Sequence, residues 1–514
     1  MSHCRSPLSR ALTGVVSLAT LAICFGGPLA IAQSQSNVPS VGWPAIGNAN
    51  SQGQTGDAAQ VVKRKAKDLK RAPSNSLRST LIDKSLPPLA PYPGANRIGL
   101  RGGVIPAEPG KPAPTIAAIA LPDARHRPAP DDAPFESVGV NLGSLRLKPY
   151  FEEDAGYASN PGSQTTRPKG SAFETSEAGL GFQSDWPRND VRGNLRAGYT
   201  DYFADRSANT PYGSGAIAGR FDISRNYTVD AETHFDIRTQ TPGSVTLPSG
   251  AVLSASRRPL VDTFGGSVGA TSKFGDAALS LHGTFDRTIF DNAQLSGGAI
   301  ADLSSDDSND WGLRARAAYE ASPVVAPFVE IDADKRIYDS VRDSSGFQRD
   351  SRGVAALAGA TLALTGQLTG EASAGYGTRN FQDTRLPDLN GPLFNAALAW
   401  AVTPLTKVTV KAATTLADTT TPGASGAVSR NYTIGVAHAL LRNLTLTANA
   451  GYATDTYSGV SIHDSTTTFA LGADYNLSRD LVLKASASRQ QFSSSLPNSS
   501  YSSNIFMLGL RVQR

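Results

Sequence analysis

Charged side chains recur at alternate positions in several segments of this 514-residue chain, and that spacing limits the chemistry open to them. Arg314 and Arg316 precede Glu330, Asp332, Asp334 and Arg336, so two neighbouring extended segments would present opposite charges on one face. Asp230, Glu232 and Asp236 make a second acidic row, and Lys407 with Lys411 a second basic one. Opposed rows of this kind can form a ladder of cross-strand pairs, each contributing about 0.2–1 kcal/mol. They can equally set a transverse field that orients small polar solutes in a pore. The residue types leave both roles open.

Catalytic patterns are weaker. Gly265-Gly266-Ser267-Val268-Gly269 matches the G-x-S-x-G string, but that chemistry needs a strand-turn-helix elbow to expose the serine, and here the string falls inside an alternating, strand-like segment. His234, His282, His438 and His463 lack the i,i+4 or clustered spacing of a metal site and read as isolated lumen or loop residues. Cys4 and Cys24 are the only cysteines, which leaves the chain beyond residue 32 without disulfide, thiolate-metal or thiol chemistry. The chain is read as non-enzymatic, with no cofactor and no metal, and nothing in the sequence sets its oligomeric state.

The elements that would position the charged rows follow from hydropathy. After Phe135 the chain breaks into segments of about 10 to 15 residues with every second side chain apolar, the repeated signature of transmembrane β-strands. Trp311, Leu313, Ala315, Ala317 and Tyr319 share one face, as do Leu444, Leu446, Ala448, Ala450 and Tyr452. Aromatic ends around an aliphatic middle suit a lipid-facing strand. A soluble sandwich fits less well, because strands of about 12 residues are long for one and the second face carries too many Lys, Asp, Glu and Thr residues to pack against another sheet.

Short turns are predicted at Pro187-Arg188-Asn189, Ser224-Arg225-Asn226, Phe274-Gly275-Asp276, Ser322-Pro323, Thr365-Gly366, Thr403-Pro404, Leu441-Arg442-Asn443 and Ser478-Arg479-Asp480. Longer polar loops near Pro242, Pro248, Gly297, Pro387, Pro422 and Pro497 alternate with them. With a first strand near Leu145–Ala158 and a last near Asn504–Arg514, the expectation is an all-β, antiparallel transmembrane barrel of about 18 strands (16–18) over residues 138–514. Phe506, Leu508, Leu510 and Val512 supply the alternating C-terminal apolar residues of a signal for the barrel-assembly machinery, with Arg514 in place of the usual final aromatic.

The N-terminal part differs in kind. Arg5 and Arg10 precede an apolar run from Ala11 to Phe25, and Ala30-Ile31-Ala32 offers a cleavage site before Gln33, so residues 1–32 read as a secretory signal peptide. Residues 33–137 hold roughly half of the 32 prolines and read as a largely disordered periplasmic linker. They carry 13 Lys and Arg against 8 Asp and Glu, or +5, whereas residues 138–514 carry 33 against 36, or −3. The densest basic stretch, Lys63 to Arg71, is read as a solvated tether, with anionic lipid, a periplasmic protein or cell-wall polymer as the competing partner. Export and the absence of interleaved aromatics argue against nucleic acid.

Residues 138 to 514 resemble the putative β-barrel porin 2 family of outer-membrane proteins. The resemblance rests on Val138-Gly139-Val140-Asn141-Leu142-Gly143-Ser144-Leu145-Arg146-Leu147-Lys148-Pro149, on Gly156-Tyr157-Ala158-Ser159-Asn160-Pro161, on the repeated Arg-Asn and Arg-Asp turns, and on Gly509-Leu510-Arg511. It implies a barrel embedded in outer-membrane lipid with a porin-like role, and it supplies no catalytic residue. The expected function is passive passage of small polar solutes. A polysaccharide or secretion export component and a non-conducting structural barrel stand as alternatives.

Overall fold

The computed structural model describes residues 135–240, 255–295, 300–364, 367–419 and 421–514. The signal peptide, nearly all of the linker, the loop positions Pro242, Pro248 and Gly297 and the turn Thr365-Gly366 lie outside the described residues.

Eighteen long strands form one antiparallel sheet that closes on itself. They are β1 (Leu145–Ala158), β2 (Ser171–Ser184), β3 (Asp190–Tyr202), β4 (Thr210–Asp222), β5 (Tyr227–Thr239) and β6 (Leu260–Phe274). The series continues with β7 (Ala277–Phe290), β8 (Ser308–Tyr319), β9 (Val325–Tyr338), β10 (Ser351–Leu364), β11 (Leu368–Phe381) and β12 (Leu389–Thr403). It ends with β13 (Thr406–Ala417), β14 (Gly426–Leu441), β15 (Leu444–Ser458), β16 (His463–Asn476), β17 (Leu481–Ser494) and β18 (Tyr501–Gln513). Each strand pairs with its neighbours in sequence, and β1 pairs with β18 from Tyr150↔Gln513 to Ala158↔Ile505. Closure joins the first strand to the last, so each of the eighteen strands has a hydrogen-bonded neighbour on both sides.

Four of the short turns share one local mechanism. Ser224 accepts backbone N–H bonds from Asn226 and Tyr227 at 3.3 and 3.2 Å, and Ser322 does the same for Val324 and Val325 at 3.3 and 3.1 Å. Ser478 and Thr403 accept from Asp480 and Leu405, so a hydroxyl at the first turn position substitutes for ladder bonds lost at the bend. Between β6 and β7, Gly275 adopts φ +60, which a tight hairpin demands and glycine supplies without strain.

Alternation then separates the two faces. Leu313, Val329, Ile331, Val354, Phe469, Leu471, Phe506, Leu508, Leu510 and Val512 are exposed on the outside. The polar partners between them turn inward, so the described residues form no single apolar core. Small apolar clusters sit instead at the loop end, where Ala158, Phe173, Tyr202, Ala208 and Met507 pack together, as do Ala417, Ala424, Ala427 and Tyr457.

Candidate functional site: the charged inner wall

The face that alternation turns inward carries a connected set of ion pairs on β8 to β11. In register, Arg314 faces Asp332 and Arg316 faces Glu330. Arg314 Nε donates to Asp332 Oδ1 at 2.7 Å and lies 3.5 Å from Glu330. Arg316 reaches past Glu330 to Glu371 on β11 with bonds of 3.0 and 2.6 Å, while its guanidinium stacks 3.5 Å from the Phe328 ring centroid. Arg336 donates to Asp310 at 2.9 and 2.7 Å and lies 3.5 Å from Asp418, and Asp334 accepts from Arg379. These six residues of the charged rows are therefore brought together, although Asp334 and Arg336 find their partners outside that set.

The second acidic row behaves differently. Asp230 Oδ2 meets His282 Nε2 at 2.7 Å, and Asp286 Oδ1 meets His234 Nε2 at 2.8 Å. Each pair joins β5 to β7 by crossing over β6, at Gly269 in the first case and Gly265 in the second. The reach is about two interstrand spacings, or about 9.6 Å between backbones. Only a residue without a side chain leaves room, because a methyl at Gly265 would overlap the Asp286 carboxylate and one at Gly269 the His282 ring. The same device recurs at Gly198, over which Tyr212 donates to Glu177 at 2.8 Å, and at Gly353, over which Arg379 meets Asp334. The glycines of the G-x-S-x-G string thus seat histidine–carboxylate pairs. Both histidines commit Nε2 to the carboxylate, the nitrogen that a serine triad would aim at the hydroxyl.

His234 and His282 are accordingly paired wall residues rather than isolated ones. His438 faces outward near the short-turn end, 2.9 Å from the Thr406 hydroxyl, and His463 is exposed at the opposite end. Asp236 lies 3.3 Å from Arg238 on its own strand. Glu232 occupies the row between the two histidine pairs, level with Ser267. Lys407 and Lys411 are on the inner face of β13, where their register neighbours are Ala401 and Ala437, and Ala397 and Thr433. Lys411 shares a register row with Glu371, two strands away across Ala397, which sets it beside the β8–β11 network.

The closing seam carries a cluster that residue spacing did not reveal. Buried Glu152 on β1 accepts from Lys484 on β17 and from Arg511 on β18, whose guanidinium lies 4.3 Å from the Tyr150 ring centroid. Tyr150 in turn donates to Glu177 at 2.7 Å.

At the loop end, the connections fold toward one another. Arg349, buried in the β9–β10 loop, donates to Asp343 and to the carbonyls of Thr419, Ala424 and Thr421 at 2.8, 3.0 and 3.2 Å. It thereby ties that loop to the β13–β14 loop across β11 and β12. Asp383 of the intervening β11–β12 loop accepts the Gln348 N–H at 3.0 Å, and Tyr338 donates to Asp418. A second tie runs from Arg258, before β6, to the Pro161 carbonyl in the β1–β2 loop at 2.7 Å. Asp306, between β7 and β8, has its carboxyl pushed up to about 7 by burial and by the nearby Asp418 charge, with Arg349 acting in the opposite sense.

A closed eighteen-strand barrel with an apolar exterior and a polar, ion-paired interior defines the architectural class of the porins. The profile described as "Putative beta-barrel porin 2" matches residues 133–514, and the chain belongs to that family. No curated protein matches it. Among solved structures it is similar to a BenF-like porin from Pseudomonas fluorescens Pf-5, at 12% identity over 73% of this chain and 100% of that one, with a TM-score of 0.38. It is also similar to the outer membrane protein opdK from Pseudomonas aeruginosa, at 12% identity over 72% and 98% of the chains, TM-score 0.36. A third is OccK2 (OpdF) from the same organism in complex with glucuronate, at 10% identity over 72% and 99%, TM-score 0.38.

Proposed function

We propose that the protein is a porin-like channel of the bacterial outer membrane through which small polar solutes diffuse passively. The observation that carries this reading is the width of the wall together with its polarity. Eighteen strands enclose more space than one layer of side chains fills, and the inward residues are charged and hydrogen-bonded rather than apolar. Most inward charges are already neutralised by wall partners, so the ladder on β8–β11 acts first as structure. Lys407 and Lys411, on the inner face of β13, form a basic row that faces the lumen beside this ladder and acts with it on a passing solute. Arg314, Arg316, Glu330, Asp332, Asp334, Arg336, Asp230 and Asp236 line the same lumen as paired dipoles, with Glu232 in the row between the two histidine pairs. Phe506, Leu508, Leu510 and Val512, all turned outward on the last strand, are the surface offered to the assembly machinery.

The test is reconstitution of full-length protein in planar bilayers, with solute-driven liposome swelling in parallel. Stepwise conductance and swelling with small polar solutes are expected. A refolded, heat-modifiable barrel that never conducts and never permits swelling would leave the structural-wall reading in its place.

A further inference from the structure

One feature of the outer wall is not used by a channel. Lys335 on β9 and Arg352 on β10 both point outward, are exposed, and face each other directly in register. Like charges opposed in a ladder are destabilising unless something neutralises them. Among the described residues no carboxylate lies within ion-pair distance of either. The acidic groups nearby are committed elsewhere: Asp339 is held by both Arg287 nitrogens at 2.7 and 2.6 Å, Asp310 by Arg336, and Asp334 by Arg379.

The same register row extends the polar surface to both sides. Trp311 precedes Lys335 on β8, packed edge-on against Phe285 at 5.7 Å, and exposed Asn380 follows Arg352 on β11. Lys335 is ten residues from Val325 and Arg352 twelve from Leu364, the short-turn ends of their strands. At about 3.3 Å rise and about 40° tilt, this places both cations about 25–30 Å above the short turns, at the upper margin of an apolar band about 25 Å tall. Below them the wall turns apolar, with Val354 and Ile331 exposed to lipid.

We infer that Lys335 and Arg352 form a docking site for the phosphate of a phosphorylated glycolipid in the outer leaflet, with Trp311 and Asn380 flanking the headgroup and Val354 and Ile331 meeting its acyl chains. Charge complementarity supplies the attraction, and the height of the pair selects a lipid over a soluble anion. Lipid replaces a missing carboxylate, which accounts for two adjacent cations on a lipid-facing wall. The inference rests on the outer-membrane reading above but not on conduction.

The experiment uses full-length protein in phosphatidylethanolamine nanodiscs with bisphosphorylated lipid A as probe, bound lipid being counted by native mass spectrometry. Wild type is expected to retain lipid A, and Lys335→Ser/Arg352→Ser to bind it about thirtyfold more weakly, from about fivefold per cation. Dephosphorylated lipid A should bind wild type as weakly as it binds the double variant. Arg489→Ser, which removes another outward arginine, should leave binding unchanged, and Lys335→Arg/Arg352→Lys should retain it. Equal binding by wild type and the double serine variant, or by phosphorylated and dephosphorylated lipid, overturns the site. Full displacement of lipid A by inorganic phosphate would reassign it to a free anion and overturn the lipid assignment. Heat-modifiable mobility reports folding of each variant, and conductance of the same samples separates failure of this site from failure of the channel reading.

Discussion

Replacing Glu152 by Gln tests how the barrel is held shut. Glu152, Lys484 and Arg511 come from three different strands, and all three side chains are at least nine-tenths buried. The substitution keeps the shape and removes the charge, so the Lys484 ammonium and the Arg511 guanidinium lose the one carboxylate that bonds them both. Removing one partner of a buried pair typically costs 3–5 kcal/mol, and water in the lumen places this case at the lower end, about 3 kcal/mol. The seam has little to spare, since β1 and β18 pair over nine positions whereas β1 and β2 pair over fourteen. For a barrel of this length about 3 kcal/mol corresponds to a fall of roughly 4 °C in midpoint. The assay is the temperature at which the compact band on a detergent gel converts to the unfolded one, supported by urea unfolding in detergent micelles. Lys484→Met/Arg511→Met in the Glu152→Gln background should recover most of the loss, because the two cations go with it. A Glu152→Gln barrel that unfolds with the wild type, or a triple variant weaker than the single, would refute the assignment of the seam to this cluster.

Gly269→Ala should break the Asp230–His282 pair and Gly265→Ala the His234–Asp286 pair, each lowering stability by about 1–3 kcal/mol in the same assay, while Gly451→Ala, whose added methyl meets only ordinary contacts, costs less. Lys407→Glu/Lys411→Glu should shift the reversal potential under a salt gradient toward cation preference; an unchanged potential would remove those lysines from the pore. Arg349→Met should free the β13–β14 loop from the β9–β10 loop, read as faster amide exchange at Ala424, the N–H that bonds Thr421, and as noisier open-channel current. Asp306 has a folded-state value near 7 against an ordinary 3.8, so the folded loop binds the extra proton and its local stability declines as pH rises from about 4 to 7. Protection factors at the Asp306 and Asp307 amides, with the intrinsic base-catalysed rise divided out, should fall over that window in wild type and stay flat in Asp306→Asn.

The strands and their order were legible because the determinants are local. Alternation marks each strand, and turns such as Ser224-Arg225-Asn226 and Ser478-Arg479-Asp480 carry their own acceptor for the bend. The partnership of Arg314 with Asp332 and Arg316 with Glu330 was also legible, since hairpin register follows from turn length. The partners of Asp334, His234 and Asp230 were not, because each lies two strands away and depends on the register of a strand that contributes no side chain there. The signal that could have found them is a glycine at an inward position between chemically complementary residues. Arg349 and Glu152 escaped for another reason: their partners are set by loop folding and by closure of the ring, which no local pattern encodes.

The seam also fixes an order of events. Glu152 meets partners 332 and 359 residues further along the chain, so the first strand must keep an open hydrogen-bonding edge until the last is made. Contacts this distant make closure slow, and an unpaired edge held that long invites pairing with the wrong strand. The brief hairpin strand Val140–Leu142, which pairs with Leu145–Leu147, lies along that edge beyond the point where β18 stops. It shields part of the waiting edge from the start and leaves the final strand a single register in which to dock, so the chain carries its own template for where the ring must meet.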